Sequence, residues 1–392
     1  MTQHSAHSAH SAHAAHSAHS AHSAHSAHSA HSAQSAQNAH AGGSAGPYLS
    51  LALMSARDGM ARYWRGDDEV SAPDNATPGG WSAYRRMSPA ARAAALDFET
   101  ARLVTLAFED RSATVRLVGS DRPDLLVLTR PDFDEAFLGD QMPHLRSHVD
   151  LRPDRLAEIQ VQQTDLLSFF GALVPLDGHT HRHTMELLGA LLRMTGPLVM
   201  RLKLHFDLPR PIAVTPKLQP VIQTPGYSAW PSGHATEAFA IAYLLQTLHQ
   251  TGRPRGEGKA VAPLDVAHEL GDLDASRAPS LFLSVAARIA TNRTVAGLHY
   301  PCDSAAGAVL GLALAEALVL HLRAGEGLAP DARVPKATAP ARLFDGRRFT
   351  GDFELEGLKA ILTPRGEAAL PRRLRGVLDV LWECAKSEWA RP

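Results

Sequence analysis

The run SAAGAVLGLALAEALVLHL, from Ser304 to Leu322, is the best candidate for a membrane-spanning segment in this chain of 392 residues. A membrane span needs about 20 mostly apolar residues, and Glu316 and His321 interrupt this run. A buried helix in a bundle accommodates such residues better than a bilayer does, because polar groups can find partners there. We therefore predict a core helix over residues 303–323 and a soluble protein with no transmembrane segment.

Four segments upstream of this run carry apolar residues at three- and four-residue spacing, which is typical of amphipathic helices. They cover residues 154–170, 184–204, 235–250 and 279–296. The polar stretch between the last two is predicted to be a surface loop. Together with the apolar run, these segments predict a mainly α fold whose helical catalytic core covers residues 150–325.

Three other regions flank this core. A serine–alanine–histidine repeat without any apolar pattern predicts a disordered tail over residues 1–46. Residues 47–149 form a small mixed N-terminal region, with helical composition over 90–109 followed by two strand-like runs, ATVRLVG and DLLVLTR. Residues 326–392 form a C-terminal extension that ends in a predicted helix.

Composition and charge limit the classes of function. The formal net charge is -1, so nothing global favours nucleic acid as a partner, and any anion site must be local. Cys302 and Cys384 have neither the spacing of a metal site nor the density of a disulfide framework. The N-terminus lacks the basic and apolar segments of a signal peptide, which predicts a cytoplasmic location.

The first stretch with residues suited to chemistry is KLHFDLPRP, in which Lys203 closes a long apolar helix and Arg210 precedes Pro211. A lysine at the end of a helix is usually a solvated charge that interacts favourably with the helix dipole. Taken alone, this stretch therefore predicts no site.

The second stretch is AWPSGHATEAF, residues 229–239. Ser232 suits the N-cap of the helix that follows, but capping does not explain Gly233 and His234 in its first turn, where neither is a favoured helix former. A helix start offers unpaired N–H groups to an anion. Glycine permits a close approach, and histidine can exchange a proton near neutral pH. We interpret this helix start as both a cap and an anion cradle.

The third stretch is NRTVAGLHYPCD. Arg293 continues the apolar face of a helix, which is costly unless the guanidinium meets an anion or a carboxylate. His299 and Asp303 are explained either as a core histidine and a helix N-cap, or as a catalytic pair. In such a pair the carboxylate fixes the ring tautomer and leaves the other ring nitrogen as a nucleophile. Both explanations stay open for this stretch in isolation.

Together, the three stretches supply three cations, one hydroxyl group, one glycine amide and two histidines, a set that suits a tetrahedral oxyanion with about two charges, such as phosphate. In this order they resemble the motifs of the type 2 phosphatidic acid phosphatase and vanadium haloperoxidase superfamily: Lys203-x6-Arg210-Pro211, Pro231-Ser232-Gly233-His234 and Arg293-x5-His299-x3-Asp303. The resemblance covers the helical core, and it departs from the family at Asn292, where serine is common.

The resemblance implies a helical bundle of the phosphatidic acid phosphatase/haloperoxidase type with its site among helix ends. It also implies a set of phosphate- or vanadate-binding residues, namely Lys203, Arg210, Ser232, Gly233 and Arg293. His299 would attack phosphorus, or coordinate vanadium in a haloperoxidase, with Asp303 orienting it. His234 would protonate the leaving group and then activate water, and no divalent metal would take part.

The expected function is that of an acid-phosphatase-like hydrolase, which cleaves a phosphorylated small molecule or a lipid phosphate through a phosphohistidine and needs no cofactor. The alternative is a haloperoxidase with vanadate in the same pocket, which oxidises halide with hydrogen peroxide. In the similar fungal chloroperoxidases, aromatic residues occupy the positions of Met200 and Tyr227. Only one of the two is aromatic here, and this half-match favours the phosphatase.

A second alternative is a non-catalytic anion-binding or structural module that is attached to metal or to a surface through the histidine-rich tail. No core position favours it, because every chemical position of the three motifs is filled. The alternation of His179, His181 and His183 would place three imidazoles on one face of an extended segment, where zinc or copper could bind. A polar loop before a helix that begins near Thr184 is the preferred interpretation.

Overall fold

A computed structural model describes residues 47–60, 80–119, 124–252, 280–329, 332–370 and 372–390. The predictions for the tail over residues 1–46, and for nearly all of the polar stretch between the third and fourth predicted helices, fall outside these ranges. The chain divides into two compact units, Met1–Ala95 and Leu96–Pro392. The first unit contains helices α1 (Pro47–Met60) and α2 (Gly80–Arg86) and the start of α3 (Pro89–Thr100).

The second unit is mainly helical and carries a small mixed sheet, as the sequence predicts. Its further helices are α4 (Glu135–Ser147), α5 (Arg152–Val161), α6 (Leu167–Gly171), α7 (Arg182–Phe206), α8 (Pro211–Val214), α9 (Gly233–Gly252), α10 (Leu281–Val295), α11 (Pro301–Arg323) and α12 (Val377–Trp389). Its strands are β1 (Val104–Glu109), β2 (Ser112–Leu117), β3 (Leu126–Thr129), β4 (Arg333–Val334), β5 (Thr338–Asp345), β6 (Leu362–Ala369) and β7 (Arg373–Leu374).

Two helix predictions are wrong in part. The helix expected over 154–170 is divided into α5 and α6, and between them the Asp165 carboxylate accepts the backbone N–H of Ser168 at 3.0 Å. The helix expected over 90–109 ends with α3, and its second half is strand β1. The residues of β1 pair with β2 in an antiparallel hairpin.

Helices α9 and α11 form the centre of the fold. Every residue of α11 from Pro301 to Val319 is buried, and its two glycines bring the backbones of α9 and α11 into contact. A Cβ added at Gly307 would lie 2.4 Å from the carbonyl oxygen of Ser232, and one at Gly311 would lie 2.1 Å from that of Thr236. Only glycine permits this approach, which fixes the start of α9 beside the start of α11.

Helix α11 is long and apolar enough to cross a membrane by length and composition alone. Within the structure, however, 89% of its most apolar window is buried. The core helix of a soluble protein passes the same test, so this helix is weak evidence for a membrane span. Its Glu316 forms a buried ion pair with Arg342 of strand β5, which explains how a charged residue is accommodated in the apolar run.

The five-stranded sheet contains three strands that precede the helical core in the sequence and two that follow it, in the order β1-β2-β3-β5-β6. Strands β2 and β3 are antiparallel, which confirms the strand pair predicted from ATVRLVG and DLLVLTR. Strand β3 is parallel to β5, and Leu126 lies opposite Arg342. Strands β4 and β7 form a separate antiparallel pair.

The C-terminal helix α12 is present as predicted, and it holds the start of α7. The Glu388 carboxylate accepts the backbone N–H groups of His183 and Thr184 at 2.8 and 2.9 Å, and it also contacts His183 Nδ1 at 2.8 Å. Helix α7 begins at Arg182, so His183 lies on a helix and not in an extended segment. Across the described parts of the chain, no group of histidine, cysteine and carboxylate residues has a metal-binding arrangement.

Candidate active site

Lys203 lies in the last turn of α7, and its side chain is buried. Its Nζ donates to the carbonyl oxygens of Ser228 at 2.8 Å and Ala229 at 3.1 Å. Loss of water around the ammonium group lowers the pKa of Lys203 well below its usual value, and the charge of Arg210 lowers it further. The interpretation of this lysine as a solvated charge is therefore wrong.

Arg210 is held in extended backbone conformation because the residue before a proline is excluded from the helical region. Its Nε donates to the carbonyl oxygen of Tyr227 at 2.9 Å. Its Nη1 donates to the carbonyl oxygen of Leu298 at 3.1 Å and lies 3.0 Å from Nε2 of His299. Burial lowers the pKa of Arg210 as well.

The aromatic ring of Tyr227 lies over both of these cations. Its centroid is 5.5 Å from Lys203 Nζ and 5.3 Å from Arg210 Cζ, distances at which the electron-rich ring face attracts a positive charge. Tyr227 and Met200, the two positions that are aromatic in fungal chloroperoxidases, are each about half exposed. Tyr227 therefore borders the cluster of cations on its solvent side.

The start of α9 has the geometry of a cap. The fully buried Ser232 accepts the backbone N–H of Ala235 with its Oγ at 3.4 Å, and its own N–H donates to the carbonyl oxygen of Asp303 at 2.9 Å. A Cβ on Gly233 would lie 3.8 Å from Val199, an ordinary packing distance. Packing therefore does not require glycine at this position, whereas close approach of a ligand to the backbone would.

The loop between α10 and α11 positions His299. Gly297 ends α10 in the left-handed region at φ +81°, where a side chain would be strained. Tyr300 is the N-cap of α11 and Pro301 its first residue, a favoured position for proline. Asp303 lies at the third helical position and accepts the Tyr300 N–H at 2.9 Å, so Asp303 belongs to the cap without being the N-cap residue.

The contacts of His299 determine its tautomer. Its Nε2 faces the guanidinium of Arg210, which has donors only, so Nε2 must present a lone pair. The ring proton therefore lies on Nδ1, which donates to Asp303 Oδ2 at 3.0 Å. Burial and the charges of Arg210 and Lys203 lower the pKa of His299 well below its usual value, which keeps the ring neutral. Burial raises the pKa of Asp303.

Arg293, on α10, is fully buried. Its Nη2 donates to Gln162 Oε1 at 2.7 Å and lies 3.5 Å from the carbonyl oxygen of Ile159. Its Nε and Nη1 have no hydrogen-bond partner within the described residues. Burial lowers the pKa of Arg293 to about 10, so the guanidinium stays charged at neutral pH.

The charges of this cluster do not balance. Lys203, Arg210 and Arg293 carry three formal positive charges, and Asp303 supplies one negative charge, which leaves a surplus of two. A buried charge is costly without a partner. An anion with two negative charges and several acceptor oxygens would remove both the surplus charge and the unpaired donors.

His234 lies in the first turn of α9, and its Nε2 donates to the carbonyl oxygen of Gln162 at 3.0 Å. Burial lowers its pKa to about 3, with further contributions from the charges of Arg293, Lys203 and Arg210. His234 is therefore neutral, with its proton on Nε2 and a lone pair on Nδ1. The same cations act on His234 and His299, so the three motifs converge on one site.

Two residues of this site were missed by the sequence reasoning or given too little weight. Gln162 follows α5 and contacts both His234 and Arg293, yet it belongs to none of the three motifs. Asn292 donates to Glu158 Oε2 at 3.0 Å and to Gln162 Oε1 at 3.1 Å, and it accepts Arg155 Nη1 at 3.1 Å. The departure from the family's serine thus ties α10 to α5.

Glu237 was also missed. It lies one helical turn after His234 on α9, and its side chain is partly buried. Burial raises its pKa to about 7, and no charged neighbour contributes to this shift. No signal in the sequence separates Glu237 from an ordinary solvated glutamate, because the burial is set by the packing of other helices around α9.

Residues 184–324 match the model of the PAP2 superfamily. A comparison with curated proteins gives no match. The matched segment runs from the first turn of α7 to the end of α11, and it contains all three motifs and every candidate residue named from them. The resemblance predicted from the motifs is thereby confirmed for this segment, which is similar to the PAP2 superfamily.

Proposed function

We propose that this protein is a metal-independent phosphatase that cleaves phosphomonoesters through a phosphohistidine intermediate. The observation that carries the proposal is the surplus of two buried positive charges beside a neutral His299 whose lone pair faces the cations. The match of residues 184–324 to the PAP2 superfamily gives the coarser expectation of a phosphatase or a related haloperoxidase-like enzyme. The helical core over residues 150–325 would then be the catalytic domain.

In this proposal the cations and the cap of α9 bind the phosphoryl group. Lys203, Arg210 and Arg293 would donate to its oxygens, and the Ser232 hydroxyl and the Gly233 amide would complete the cradle. Hydrogen bonds from charged donors are shorter and stronger than neutral ones. Preorganised donors also stabilise the charge that spreads over the equatorial oxygens in the transition state, which lowers the barrier to transfer.

His299 would act as the nucleophile. When an oxygen of the substrate accepts Arg210 Nη1, the lone pair of His299 Nε2 is released from that donor and can attack phosphorus. The P–N bond forms as the P–O bond to the leaving group breaks, and a phosphohistidine results. Asp303 would stabilise the positive charge that develops on the ring through the proton on Nδ1, in the way that carboxylates orient catalytic histidines.

His234 would exchange the protons of both steps. Three cations and burial depress its pKa in the free protein, and a bound dianion would offset those charges and raise that pKa. Protonated on Nδ1, His234 could then give its proton to the leaving oxygen. In the second step the neutral ring would take a proton from the water that attacks the phosphohistidine, and inorganic phosphate would leave.

A second candidate function rests on the same cradle, because vanadate has the shape and charge of phosphate. The residues that suit phosphate would hold vanadate equally, with His299 Nε2 as its protein ligand. Bound vanadate would catalyse the oxidation of halide, with hydrogen peroxide as the oxidant. The ring of Tyr227 over the cations supports this alternative, and the absence of a second aromatic residue at Met200 weighs against it.

Release of phosphate from an aryl phosphate, without added metal, tests the proposal. Wild type is compared with His299→Ala and with the matched control His179→Ala, whose imidazole is exposed and outside the site. We expect release by wild type and by the control, and none by His299→Ala. Release that persists in His299→Ala would refute the phosphohistidine. Absence of release from all three proteins, with bromide oxidation after loading with vanadate and addition of peroxide, would establish the haloperoxidase.

A further inference from the structure

We infer that Gln162 is an additional ligand of the bound oxyanion and that its side-chain Nε2 donates a hydrogen bond to it. The inference rests on the proposed function only in requiring a tetrahedral oxyanion in the pocket. Gln162 lies upstream of the segment that matches the family, directly after α5. The proposal adds a binding residue from a helix that carries none of the three motifs.

Gln162 contacts the site from two sides. Its side chain is 1% exposed. Its backbone carbonyl oxygen accepts His234 Nε2 at 3.0 Å, and its side-chain Oε1 accepts Arg293 Nη2 at 2.7 Å. A residue bonded to both the proposed acid and a proposed cation must border the space between them.

The orientation of the Gln162 amide follows from a chain of donors and acceptors. Arg155 has only donors, so the atom of Asn292 that it contacts must be the oxygen. The Asn292 nitrogen then donates both to the carboxylate of Glu158 and to Gln162. The atom of Gln162 that receives Asn292 and Arg293 must therefore be the oxygen, which leaves Nε2 as a donor on the other side of the amide group.

This Nε2 is buried and has no partner within the described residues, as do Nε and Nη1 of Arg293. Buried donors nearly always have an acceptor, and here three of them belong to two side chains joined by one hydrogen bond. An oxyanion presents several lone pairs within a small volume. We assign the three donors to oxygens of the same bound ion.

A positioning role is the competing explanation, because Gln162 could act only by holding Arg293. The two roles separate in a double-mutant cycle. If Gln162 acts only through Arg293, then Gln162→Leu has no further effect once Arg293→Lys has removed the guanidinium. If Gln162 donates to the anion directly, then Gln162→Leu still weakens binding in the Arg293→Lys background.

The experiment measures the dissociation constant of orthovanadate by calorimetry and its inhibition constant in phosphate release, using the full chain. The proteins are wild type, Gln162→Leu, Arg293→Lys, the double variant and the control Gln160→Leu, whose side chain is exposed at the end of α5, two residues before Gln162. We expect Gln162→Leu to weaken binding about tenfold in wild type and at least threefold in the Arg293→Lys background. The control should remain within twofold of wild type.

Thermal unfolding of each variant checks that it is folded. If Gln162→Leu does not fold, it is replaced by Gln162→Asn, whose shorter side chain keeps an amide but withdraws the donor from the anion. Binding within twofold of wild type in Gln162→Leu, or no additional loss in the double variant, overturns the inference. Wild-type binding of orthovanadate without phosphate release would refute the phosphatase and leave the inference intact. If wild type does not bind orthovanadate, both the proposed function and the inference about Gln162 are refuted.

Discussion

Replacement of Arg293 by methionine separates what this residue contributes to binding from what it costs the fold. In the free protein two of its N–H donors have no partner among the described residues. Each should form a charge-assisted hydrogen bond to the oxyanion, worth about 1.5–3 kcal/mol. Loss of both removes about 3–6 kcal/mol of transition-state stabilisation, and kcat/KM for an aryl phosphate should fall by about 10²–10⁴-fold.

The stability of the free protein should respond in the opposite direction. Methionine keeps an unbranched side chain in the buried space and removes a charge that has no carboxylate partner. Gln162 Oε1 still accepts Asn292 Nδ2 at 3.1 Å, so this buried acceptor keeps a donor. Replacement of buried charged groups by apolar ones is often neutral, or stabilising by about 1–4 kcal/mol. We therefore expect Arg293→Met to unfold at the same temperature as wild type or higher.

Calorimetric unfolding with and without inorganic phosphate completes the test. At a phosphate concentration of about 100 Kd, wild type should gain about 2.7 kcal/mol of stability, and Arg293→Met should gain almost nothing at the same concentration. The control is Arg201→Met, since Arg201 is exposed on α7 and lies over the ring of Phe108. Activity of Arg293→Met within tenfold of wild type, together with a preserved response to phosphate, would refute the reasoning.

Asp303→Asn should lower kcat by about 10²-fold or more, because the tautomer of His299 is no longer fixed. Calorimetry should show that this variant binds phosphate as tightly as wild type or more tightly, since loss of the carboxylate raises the surplus positive charge. Burial raises the Glu237 pKa from 4.5 to about 7, so the folded state holds this proton more tightly and stability falls as pH rises between those values. Glu237→Gln should unfold like wild type below pH 4.5 and be more stable above pH 7, by at most about 3 kcal/mol; identical pH profiles would contradict this. Gly311→Ala should lower the free energy of unfolding, measured in urea, by at least about 1–3 kcal/mol, because its Cβ would overlap a backbone oxygen of α9. Gly171→Ala, which has open space at its Cβ, is the neutral control.

The helical elements and the order of the three motifs were accessible from the sequence because they depend on local information. Apolar spacing marks the buried face of a helix, and proline and glycine mark its ends. The starts of α9 and α11 were therefore predicted close to where they lie. Lys203 was identified as a site residue only through the family resemblance, since a solvated lysine and a buried one look the same at the end of a helix and only the surrounding packing distinguishes them.

Gln162 and strand β1 could not be predicted for the same physical reason. Their roles depend on partners that are distant in the sequence. Gln162 contacts His234 and Arg293, which belong to two other helices. Strand β1 continues a segment whose overall composition is helical, and its pairing with β2 determines that it is a strand. Asn292 was interpreted as a mild substitution, and its links to α5 become visible only when the helices are packed.

The parallel pairing of β3 with β5 has a consequence for the order in which the chain is made. Synthesis proceeds from the N-terminus, so β3 and all of residues 184–324 emerge from the ribosome before β5 does. During that interval β3 presents an unpaired edge, which is a template for pairing with another chain. The segment with the proposed chemistry is thus complete while the sheet is still open. Residues after α11 would then govern the yield of folded protein, and a chain released too early would aggregate through β3.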